Sequence, residues 1–222
     1  MPDRVTRVIA IRHGETAWNV DTRLQGQLDI PLNDTGRWQA QRLAEALAHE
    51  PLAAIYSSDL SRAWATAEAL SITTGLTVRA DERLRERCFG AFQGQTWADI
   101  ETQWPESSQR WRQRDLTFAP PGGENLPDFS ARVVSAAAAL AAAHPGETIA
   151  LVAHGGVMDC LYRAATRIDM SAPRSWQLGN ASINRLLYTP EGFSLVGWSD
   201  THHLDAVRDE SADGGAAAAF GA

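Results

Sequence analysis

The chain has 222 residues with 44% hydrophobic and 21% charged content, which is ordinary for one folded domain and argues against disorder. Its net charge of -7 at pH 7 argues against a generic nucleic-acid surface, because binding to a phosphate backbone needs a basic face. The cysteines Cys88 and Cys160 lie far apart and belong to no Cys/His cluster, so we expect neither a disulfide framework nor a zinc site.

The first residues of the chain are polar. Residues 1–4 lead directly into a short apolar run and lack the long apolar stretch of a signal peptide. An alanine-rich run at 133–143 is too short and too weakly apolar to span a bilayer, so it predicts a packed helix. We therefore expect no membrane role, and the unpaired cysteines suit a cytoplasmic location.

Strand-like and helix-like segments alternate along the chain. Three short apolar runs have the length of buried strands, at 5–11, 52–56 and 148–153. Between the first two, Asp34-Thr35-Gly36 predicts an N-cap for an amphipathic helix over 37–49. Further helices are predicted at 60–72, 127–143 and 157–166. Two later runs, 183–188 and 193–198, predict a closing hairpin.

This alternation is typical of a three-layer α/β fold. We predict a mostly parallel central sheet with helices on both faces. The segment 88–126 is rich in Trp, Gln, Arg and Pro and breaks the alternation, so it is predicted to be a small inserted cap. The domain is expected to occupy residues 1–205, and residues 206–222 are expected to form a flexible C-terminal tail.

Polar side chains follow the predicted strands where each strand ends. The first strand runs into Arg12-His13-Gly14-Glu15-Thr16 and the third into His154-Gly155-Gly156. The second runs into Ser57-Ser58-Asp59-Leu60-Ser61-Arg62, which adds an arginine at the start of a helix. In open α/β sheets ligands bind at the edge formed by the carboxyl ends of the strands. The sequence therefore predicts a site with two histidines and at least two arginines.

In combination these motifs resemble the histidine phosphatase superfamily, in its phosphoglycerate-mutase-like branch. The resemblance extends to about Asp205. The matching segments are Arg12 to Thr16, Asn19, Arg23 to Gly26, Ser57 to Ala63, Glu86 and His154-Gly155. The resemblance implies a mixed sheet flanked by helices, a covalent phosphohistidine intermediate, and no metal or organic cofactor.

The chemistry of phosphoryl transfer suggests roles for four of these residues. A neutral imidazole can attack phosphorus, and neighbouring arginines keep it neutral by disfavouring a further positive charge. His13 is therefore assigned as the nucleophile. Arg12 and Arg62 are expected to hold the phosphoryl oxygens, and His154 is expected to complete this clamp as a hydrogen-bond donor.

An acid is also needed at the leaving oxygen. The resemblance assigns this role to Glu86, which would protonate the leaving alkoxide and then activate water. The alternative is a surface ion pair of Glu86 with Arg85 or Arg87. Glu15 is the less favoured donor and is expected to support the loop that carries His13.

The remaining site residues are assigned by the resemblance. Contacts to the substrate are expected from Asn19, Gln25, Gly26 and Gly155. Asn19, Gln25 and Gly26 could equally be turn residues. The segment 120–125 resembles the family's Gly-Gly-Glu loop beside the site, although alone it is a turn signal.

The cap contains a regular spacing of tryptophans. Trp97, Trp104 and Trp111 are seven residues apart, which predicts one helical face, and Pro105 is expected to divide the helix. Packing beneath the cap is the favoured role, and lining of the substrate site is the alternative.

The main rival function is phosphoglycerate mutase, which returns the phosphoryl group to its substrate. Mutases carry Asn-Lys where this chain has Thr96-Trp97, an arginine where it has Gln113, and usually Ser or Thr where it has Gln25. These changes favour hydrolysis, because lost cations weaken the grip on a phosphoglycerate. A non-catalytic binding module would lack His13, His154 or Glu86, and all three are present.

The substrate is expected to be a small phosphorylated metabolite whose identity stays open. The cap arginines Arg110, Arg112 and Arg114 could recognise a second acidic group or solvate a helix face. The sequence leaves a homodimer possible and does not establish the oligomeric state.

Overall fold

The computed structural model describes residues 5–205. The polar start at 1–4 and the predicted tail at 206–222 lie outside the described residues. Six strands form one sheet in the order β3-β2-β4-β1-β5-β6. Their bounds are β1 Thr6–Arg12, β2 Leu52–Ser57, β3 Val78–Ala80, β4 Thr148–Ala153, β5 Ile183–Thr189 and β6 Gly192–Asp200.

The sheet is mixed and mostly parallel, as predicted. Strand β4 pairs in parallel with β1 on one side and β2 on the other, and β2 pairs in parallel with β3. The predicted hairpin, β5 and β6, closes one edge through antiparallel pairing with β1. Strand β4 therefore lies inside the sheet, and all six of its residues are buried.

Helices cover both faces of the sheet. Their bounds are α1 Ala17–Val20, α2 Asp34–Ala46, α3 Ser61–Thr74, α4 Trp97–Gln103, α5 Pro105–Arg112, α6 Leu126–Ala142 and α7 Gly155–Thr166. On one face α2 and α3 contact Ile9 and Ile11 of β1, and on the other α6 and α7 contact Val8 and Ala10. This alternation along β1 is the period of two that places successive side chains on opposite faces of a strand.

Several helix boundaries differ from the predicted ones. Helix α2 begins at Asp34, because Asn33 is its N-cap and the Asn33 side chain accepts a hydrogen bond from the Gly36 amide. The predicted capping segment Asp34-Thr35-Gly36 therefore forms the first turn of the helix, which begins and ends three residues before the predicted range of 37–49. Helix α7 begins two residues before the predicted start, so His154 is its N-cap residue.

Two short elements were absent from the predictions. Strand β3 has three residues, none of them buried, so it carries no apolar signal. Helix α1 has four residues and is held by a capping box between Thr16 and Asn19. Both depend on neighbouring segments of the fold rather than on a local hydrophobic pattern.

The cap segment contains its own small apolar cluster of Phe92, Ile100 and Phe118. Trp104 separates α4 from α5, and Pro105 occupies the first turn of α5, as the predicted division requires. Trp97, Trp104 and Trp111 pack against this cluster, and the ring centroids of Trp97 and Trp111 lie 5.4 Å apart. Trp111 also lines a cavity beside the cap, so both predicted roles apply to it. Among the helices within residues 5–205, none is long and apolar enough to cross a membrane.

Candidate active site

The carboxyl ends of three parallel strands meet at one edge of the sheet. The His13 amide donates to the Ala153 carbonyl at 2.9 Å, and the Ser58 amide donates to the Val152 carbonyl at 3.0 Å. These bonds bring the ends of β1 and β2 against the end of β4. The His13 and His154 ring centroids consequently lie 5.3 Å apart.

The surroundings of His13 define which ring nitrogen can react. Nδ1 lies 2.7 Å from the Gly14 carbonyl oxygen, which can only accept, so Nδ1 carries the proton and Nε2 keeps its lone pair. The residue is 4% exposed. Burial, together with the charges of Arg62 and Arg12, holds the pKa of His13 well below 6.5. The imidazole is therefore neutral near neutral pH.

The loop after His13 is held by close backbone contacts. A Cβ atom on Gly14 would lie 2.4 Å from the Gly36 carbonyl oxygen, so this approach requires glycine. The Glu15 carboxylate accepts a hydrogen bond of 2.8 Å from the Asn33 side chain, the residue that caps α2. Glu15 thus supports the loop, in agreement with the expectation from the sequence.

Asn180 is a site residue that sequence reasoning missed. Its side-chain amide donates to the His13 carbonyl at 3.1 Å and to the Asn19 side-chain oxygen at 3.2 Å. It stands just before β5, and nothing in its local sequence separates it from other polar residues that precede a strand. Its role depends on pairing between β5 and β1.

Two arginines lie near His13, and their charges lower its pKa. Arg62 is 1% exposed and donates to the carbonyls of Leu28, at 2.9 Å, and Gly26, at 2.7 Å. Arg12 donates to the Leu178 carbonyl at 2.7 Å. The Nε atoms of both arginines are buried without a hydrogen-bond partner among residues 5–205, so each retains a donor for a ligand.

The burial of these arginines is reflected in their acidity. Burial lowers the pKa of Arg12 to about 10, and the nearby Glu86 carboxylate opposes the shift. Burial likewise lowers the pKa of Arg62 to about 10, again against the charge of Glu86. Both groups still carry a positive charge near neutral pH. An anionic ligand would offset the solvation free energy that burial removes from these charges.

His154 lies beneath the site and is fully buried. Its Nε2 atom is 2.8 Å from the Ser58 hydroxyl, and Nδ1 has no hydrogen-bond partner in the described part of the chain. If the Ser58 hydroxyl donates to Nε2, the ring proton is on Nδ1 and has no acceptor among the described residues. Burial and the charge of Arg62 lower the pKa of His154 well below 6.5, so this ring is also neutral.

The Glu86 carboxylate is bound by backbone amides rather than by a surface arginine. It accepts hydrogen bonds from the amides of Arg87, at 2.8 Å, and Gly156, at 2.9 Å. Arg85 instead pairs with Asp59. A Cβ atom on Gly156 would lie 2.2 Å from a Glu86 carboxylate oxygen, so Gly156 is a second site residue that the sequence did not single out.

The Gly-Gly-Glu loop holds the segment that carries Glu86. The Glu124 carboxylate accepts from the Cys88 amide and forms an ion pair with Arg132, both at 2.8 Å. Arg132 in turn donates to the carbonyls of Arg83, at 2.9 Å, and Arg85, at 3.0 Å. The expected position of this loop beside the site is therefore observed.

Two cavities meet at Glu86 and Phe89, which line both of them. The first cavity has a volume of about 170 Å³. Its walls include most of the expected site residues, namely Arg12, His13, Asn19, Gln25, Gly26 and Arg62. The second cavity, of about 200 Å³, lies between the cap and α7. His154 is not among the lining residues described for either cavity.

Gly155 marks the boundary between the two cavities. It lines the second cavity, and a Cβ atom on it would lie 3.6 Å from Arg12 Nε and 4.0 Å from a Glu86 carboxylate oxygen. Gly155 is therefore brought to the site, but on the side away from Asn19, Gln25 and Gly26. A molecule that fills the first cavity near Arg12 could continue past Gly155 into the second.

The cap arginines are divided by the fold. Arg110 pairs with Asp115 and Arg112 with Glu101, whereas Arg114 lines the second cavity. Trp97 and Gln113, the positions that differ from mutases, belong to the described walls of neither cavity. Any effect of those two positions on ligand binding is therefore indirect.

No group of three or more His, Cys, Asp or Glu side chains within residues 5–205 could hold a metal ion. The cations that face the first cavity are instead arginines. Anion binding by fixed guanidinium groups is well suited to a phosphoryl group, whose oxygens match the planar fork of donors.

Comparison with known proteins supports the chemistry that this geometry suggests. The chain is 41% identical over 192 residues to the glucosyl-3-phosphoglycerate phosphatase of Mycobacterium tuberculosis, covering 82% of this chain and 86% of that protein. It is 36% identical over 207 residues to a metal-independent phosphoserine phosphatase of Arabidopsis thaliana, covering 91% and 85% of the two chains.

Structural comparison leads to the same group of proteins. A solved structure of mycobacterial glucosyl-3-phosphoglycerate phosphatase in complex with VO3 matches with a TM-score of 0.79 at 38% identity, covering 88% of this chain and 99% of that one. The family described as the histidine phosphatase superfamily, branch 1, matches residues 8–201. The chain therefore belongs to the histidine phosphatase superfamily, and it is a phosphatase that hydrolyses phosphate monoesters.

Proposed function

We propose that the protein hydrolyses small phosphate monoesters in two steps through a phosphohistidine on His13. The observation that carries this proposal is the state of the His13 ring. Its Nδ1 proton is committed to the Gly14 carbonyl, and its Nε2 lone pair is left for phosphorus beside two buried guanidinium groups. Nucleophile and anion-binding groups thus share one cavity.

In the first step His13 Nε2 forms a bond to phosphorus while the bond to the leaving oxygen breaks. The Nε atoms of Arg12 and Arg62 would bind the non-bridging oxygens, as would His154 Nδ1 where it carries the proton. These donors are fixed before the substrate arrives, so little reorganisation is needed as charge shifts in the transition state. Asn19, Gln25 and Gly26 would close the other side of the phosphoryl group.

Glu86 would act as the general acid in the first step and as the general base in the second. It borders both cavities, so a substrate with its phosphoryl group in the first and its leaving group in the second would carry the scissile oxygen past this carboxyl group. Glu86 would give its proton to the leaving oxygen. It would then take a proton from the water that attacks phosphorus, which releases phosphate and restores both His13 and the acid.

The organisation of the chain enters this proposal as a prediction. We infer that residues 1–205 act as one catalytic domain with an inserted cap at 88–126. Binding of a small phosphorylated metabolite needs no organic cofactor in this scheme. A cytoplasmic location and a possible homodimer stay predictions from the sequence.

The central experiment traps the intermediate. Brief incubation with a ³²P-labelled monoester, followed by quenching in alkali, should label His13 with a linkage that survives alkali and is lost in acid. His13→Ala should abolish both the label and the release of phosphate, whereas His49→Ala, which removes an exposed histidine, should do neither. Wild-type turnover by His13→Ala would overturn the proposal.

The same preparation can separate hydrolysis from mutase activity. We expect phosphate release from a monoester panel to exceed conversion of 3-phosphoglycerate to 2-phosphoglycerate, measured with and without a bisphosphoglycerate primer. Primer-dependent isomerisation much faster than the best phosphate release would favour the mutase, while leaving the His13 chemistry intact.

A further inference from the structure

The second cavity has a polar wall that the proposed phosphoryl chemistry does not use. Helix α7 presents Gly155 and Asp159, four residues apart, to this cavity on one helical face. Trp111, Leu126 and Phe129 form its apolar side. A leaving group placed here would meet aromatic surface on one side and a carboxylate on the other.

Asp159 is a buried carboxylate with one oxygen already engaged. Its Oδ2 atom accepts from Arg163 Nε at 2.9 Å and from Arg114 Nη2 at 3.4 Å. The residue is 8% exposed, yet Oδ1 has no hydrogen-bond partner among the residues that the structure describes. An unsatisfied buried acceptor costs free energy, and Asp159 lines the second cavity, so a ligand hydroxyl that reaches Oδ1 from that cavity would recover part of this cost.

The positive charge around Asp159 determines which donor fits. Arg163 and Arg114 already balance the charge of Asp159, and Arg174 also lines the cavity. Arg114 is held there by a hydrogen bond of 2.7 Å to the Met170 carbonyl and by a backbone φ of 52°, a conformation that is strained for a non-glycine residue. The surplus of cations disfavours an ammonium group and favours a neutral hydroxyl as the donor.

Arg174 supplies the complementary charge at the mouth of this cavity. Its side chain is exposed, and its charge contributes to the lowered pKa of Arg12, so it lies close enough to the phosphoryl site to influence a bound ester. A carboxylate on the leaving group would be attracted to Arg174 and Arg114. The walls of the second cavity therefore suit a leaving group that carries both a carboxylate and a hydroxyl.

We propose that Asp159 is a specificity-determining residue that binds a hydroxyl of the leaving group, and that the second cavity selects phosphate esters of small hydroxy acids over the corresponding amino acids. This inference rests on the proposed function, because it assumes that the phosphoryl group occupies the first cavity. Selectivity would come from two contacts. Asp159 would attract a hydroxyl of the leaving group, and the arginines would repel an ammonium at the same position.

Four matched esters test the proposal in the wild-type enzyme. D-3-phosphoglycerate carries both groups, 3-(phosphonooxy)propanoate lacks the hydroxyl, D-glycerol 3-phosphate (sn-glycerol 1-phosphate) lacks the carboxylate, and O-phospho-D-serine has an ammonium in place of the hydroxyl at the same configuration. We expect kcat/KM for 3-phosphoglycerate to exceed that of the deoxy ester by roughly 10- to 100-fold, the usual worth of a hydrogen bond to a charged group. The ester with the ammonium should be no better than the deoxy ester.

Two variants assign the discrimination to residues. In Asp159→Asn the arginines should hold the amide oxygen and turn the NH₂ group to the cavity, so the preference for the hydroxyl should fall by about 5- to 10-fold, since a neutral partner replaces a charged one. Arg174→Gln should lower the ratio of 3-phosphoglycerate to glycerol 3-phosphate by about threefold. Arg112→Gln, an exposed cap arginine paired with Glu101, is the matched control and should alter neither ratio.

The outcomes separate this inference from the proposed function. Failure to hydrolyse any ester, p-nitrophenyl phosphate included, would contradict the proposed function itself. Hydrolysis of p-nitrophenyl phosphate with equal kcat/KM for the hydroxylated and deoxy esters, or with phosphoserine preferred, would overturn only the inference about Asp159. If Asp159→Asn does not fold, as judged by circular dichroism, inhibition of the wild type by D-glycerate compared with D-serine and 3-hydroxypropanoate decides in its place. Tighter inhibition by D-glycerate is expected, and equal inhibition by all three would overturn the inference.

Discussion

Hydrogen bonds to the backbone hold His13 and Glu86 in orientations that suit their proposed roles. The Gly14 carbonyl fixes the His13 tautomer, and two amides hold the Glu86 carboxylate near the site. Backbone groups are set by the fold rather than by a flexible side chain, so they orient a reacting group at little cost in conformational entropy.

Replacement of Glu86 by Gln removes the proton donor and keeps the shape. We expect turnover of alkyl phosphates to fall by roughly 10²- to 10⁴-fold, the usual contribution of a positioned general acid. Phosphorylation of His13 by p-nitrophenyl phosphate should suffer less, because nitrophenolate leaves without protonation. Equal losses in the phosphorylation rates of both esters, measured by rapid quench, would assign Glu86 a structural role.

Gly156→Ala should displace Glu86 without removing it. The new Cβ would lie 2.2 Å from a Glu86 carboxylate oxygen, so the carboxyl group must move away from the second cavity. We expect a loss that, like that of Glu86→Gln, is larger for alkyl than for nitrophenyl esters. Gly155→Ala is the steric comparison, since its nearest atom is at 3.6 Å, and its loss in kcat should be smaller. The reverse order of losses would contradict this account.

At the scale of the elements, the site depends on a bridge between α6 and the segment that carries Glu86. Arg132 of α6 forms an ion pair with Glu124 and donates to the carbonyls of Arg83, within the 3₁₀ turn Glu82–Leu84, and Arg85, which directly follows it. The site therefore includes contacts from an element that contributes no catalytic side chain.

Glu124→Ala tests this bridge. Loss of the bidentate ion pair and of the acceptor for the Cys88 amide should lower the free energy of unfolding by about 1 to 3 kcal/mol. Turnover of alkyl phosphates should fall about 10-fold or more, because Glu86 loses its support. Glu106→Ala, which removes an exposed acidic residue of the cap, is the control for both urea denaturation and turnover. A loss of stability with unchanged turnover would separate the bridge from catalysis.

The free energy of unfolding of the protein depends on pH, because His13 and His154 are neutral in the folded state. Burial holds the pKa values of His13 and His154 well below 6.5, whereas in the unfolded chain they return to about that value. Below pH 6.5 the unfolded state thus binds protons that the folded state does not, and the free energy of unfolding falls as pH falls. The carboxylates with lowered pKa values, such as Asp59, titrate at lower pH.

We therefore expect the stability of the wild type to decrease between pH 6.5 and pH 5, by about 1.4 kcal/mol per pH unit for each of these histidines once the unfolded state is protonated. His13→Ala should reduce the slope by the share of one histidine. Urea denaturation at several pH values measures both slopes. Identical slopes for the two proteins would mean that His13 is protonated in the folded state.

Much of the fold could be predicted from local pattern. The strands β1, β2 and β4 are continuous apolar runs, and such runs are stable only when both faces of a sheet are covered. The alternation of strands and helices then predicts that the ends of these strands meet and that His13, Arg62 and His154 lie close together. Strand β3 and helix α1 escaped prediction because they have too few residues to show a period.

The sequence by itself predicted the nucleophile and the arginines, because His13, Arg12 and Arg62 stand at strand ends and a helix start, and the family resemblance added Glu86 as the acid. Only the tertiary structure decided how they are held. Asn180, Gly156 and the bridge of Glu124 and Arg132 act through contacts between segments distant in the chain, and no local pattern encodes such contacts. The fold also separated Arg114, which lines the second cavity, from Arg112, which pairs at the surface, because a helix end and a turn direct neighbouring side chains to different sides.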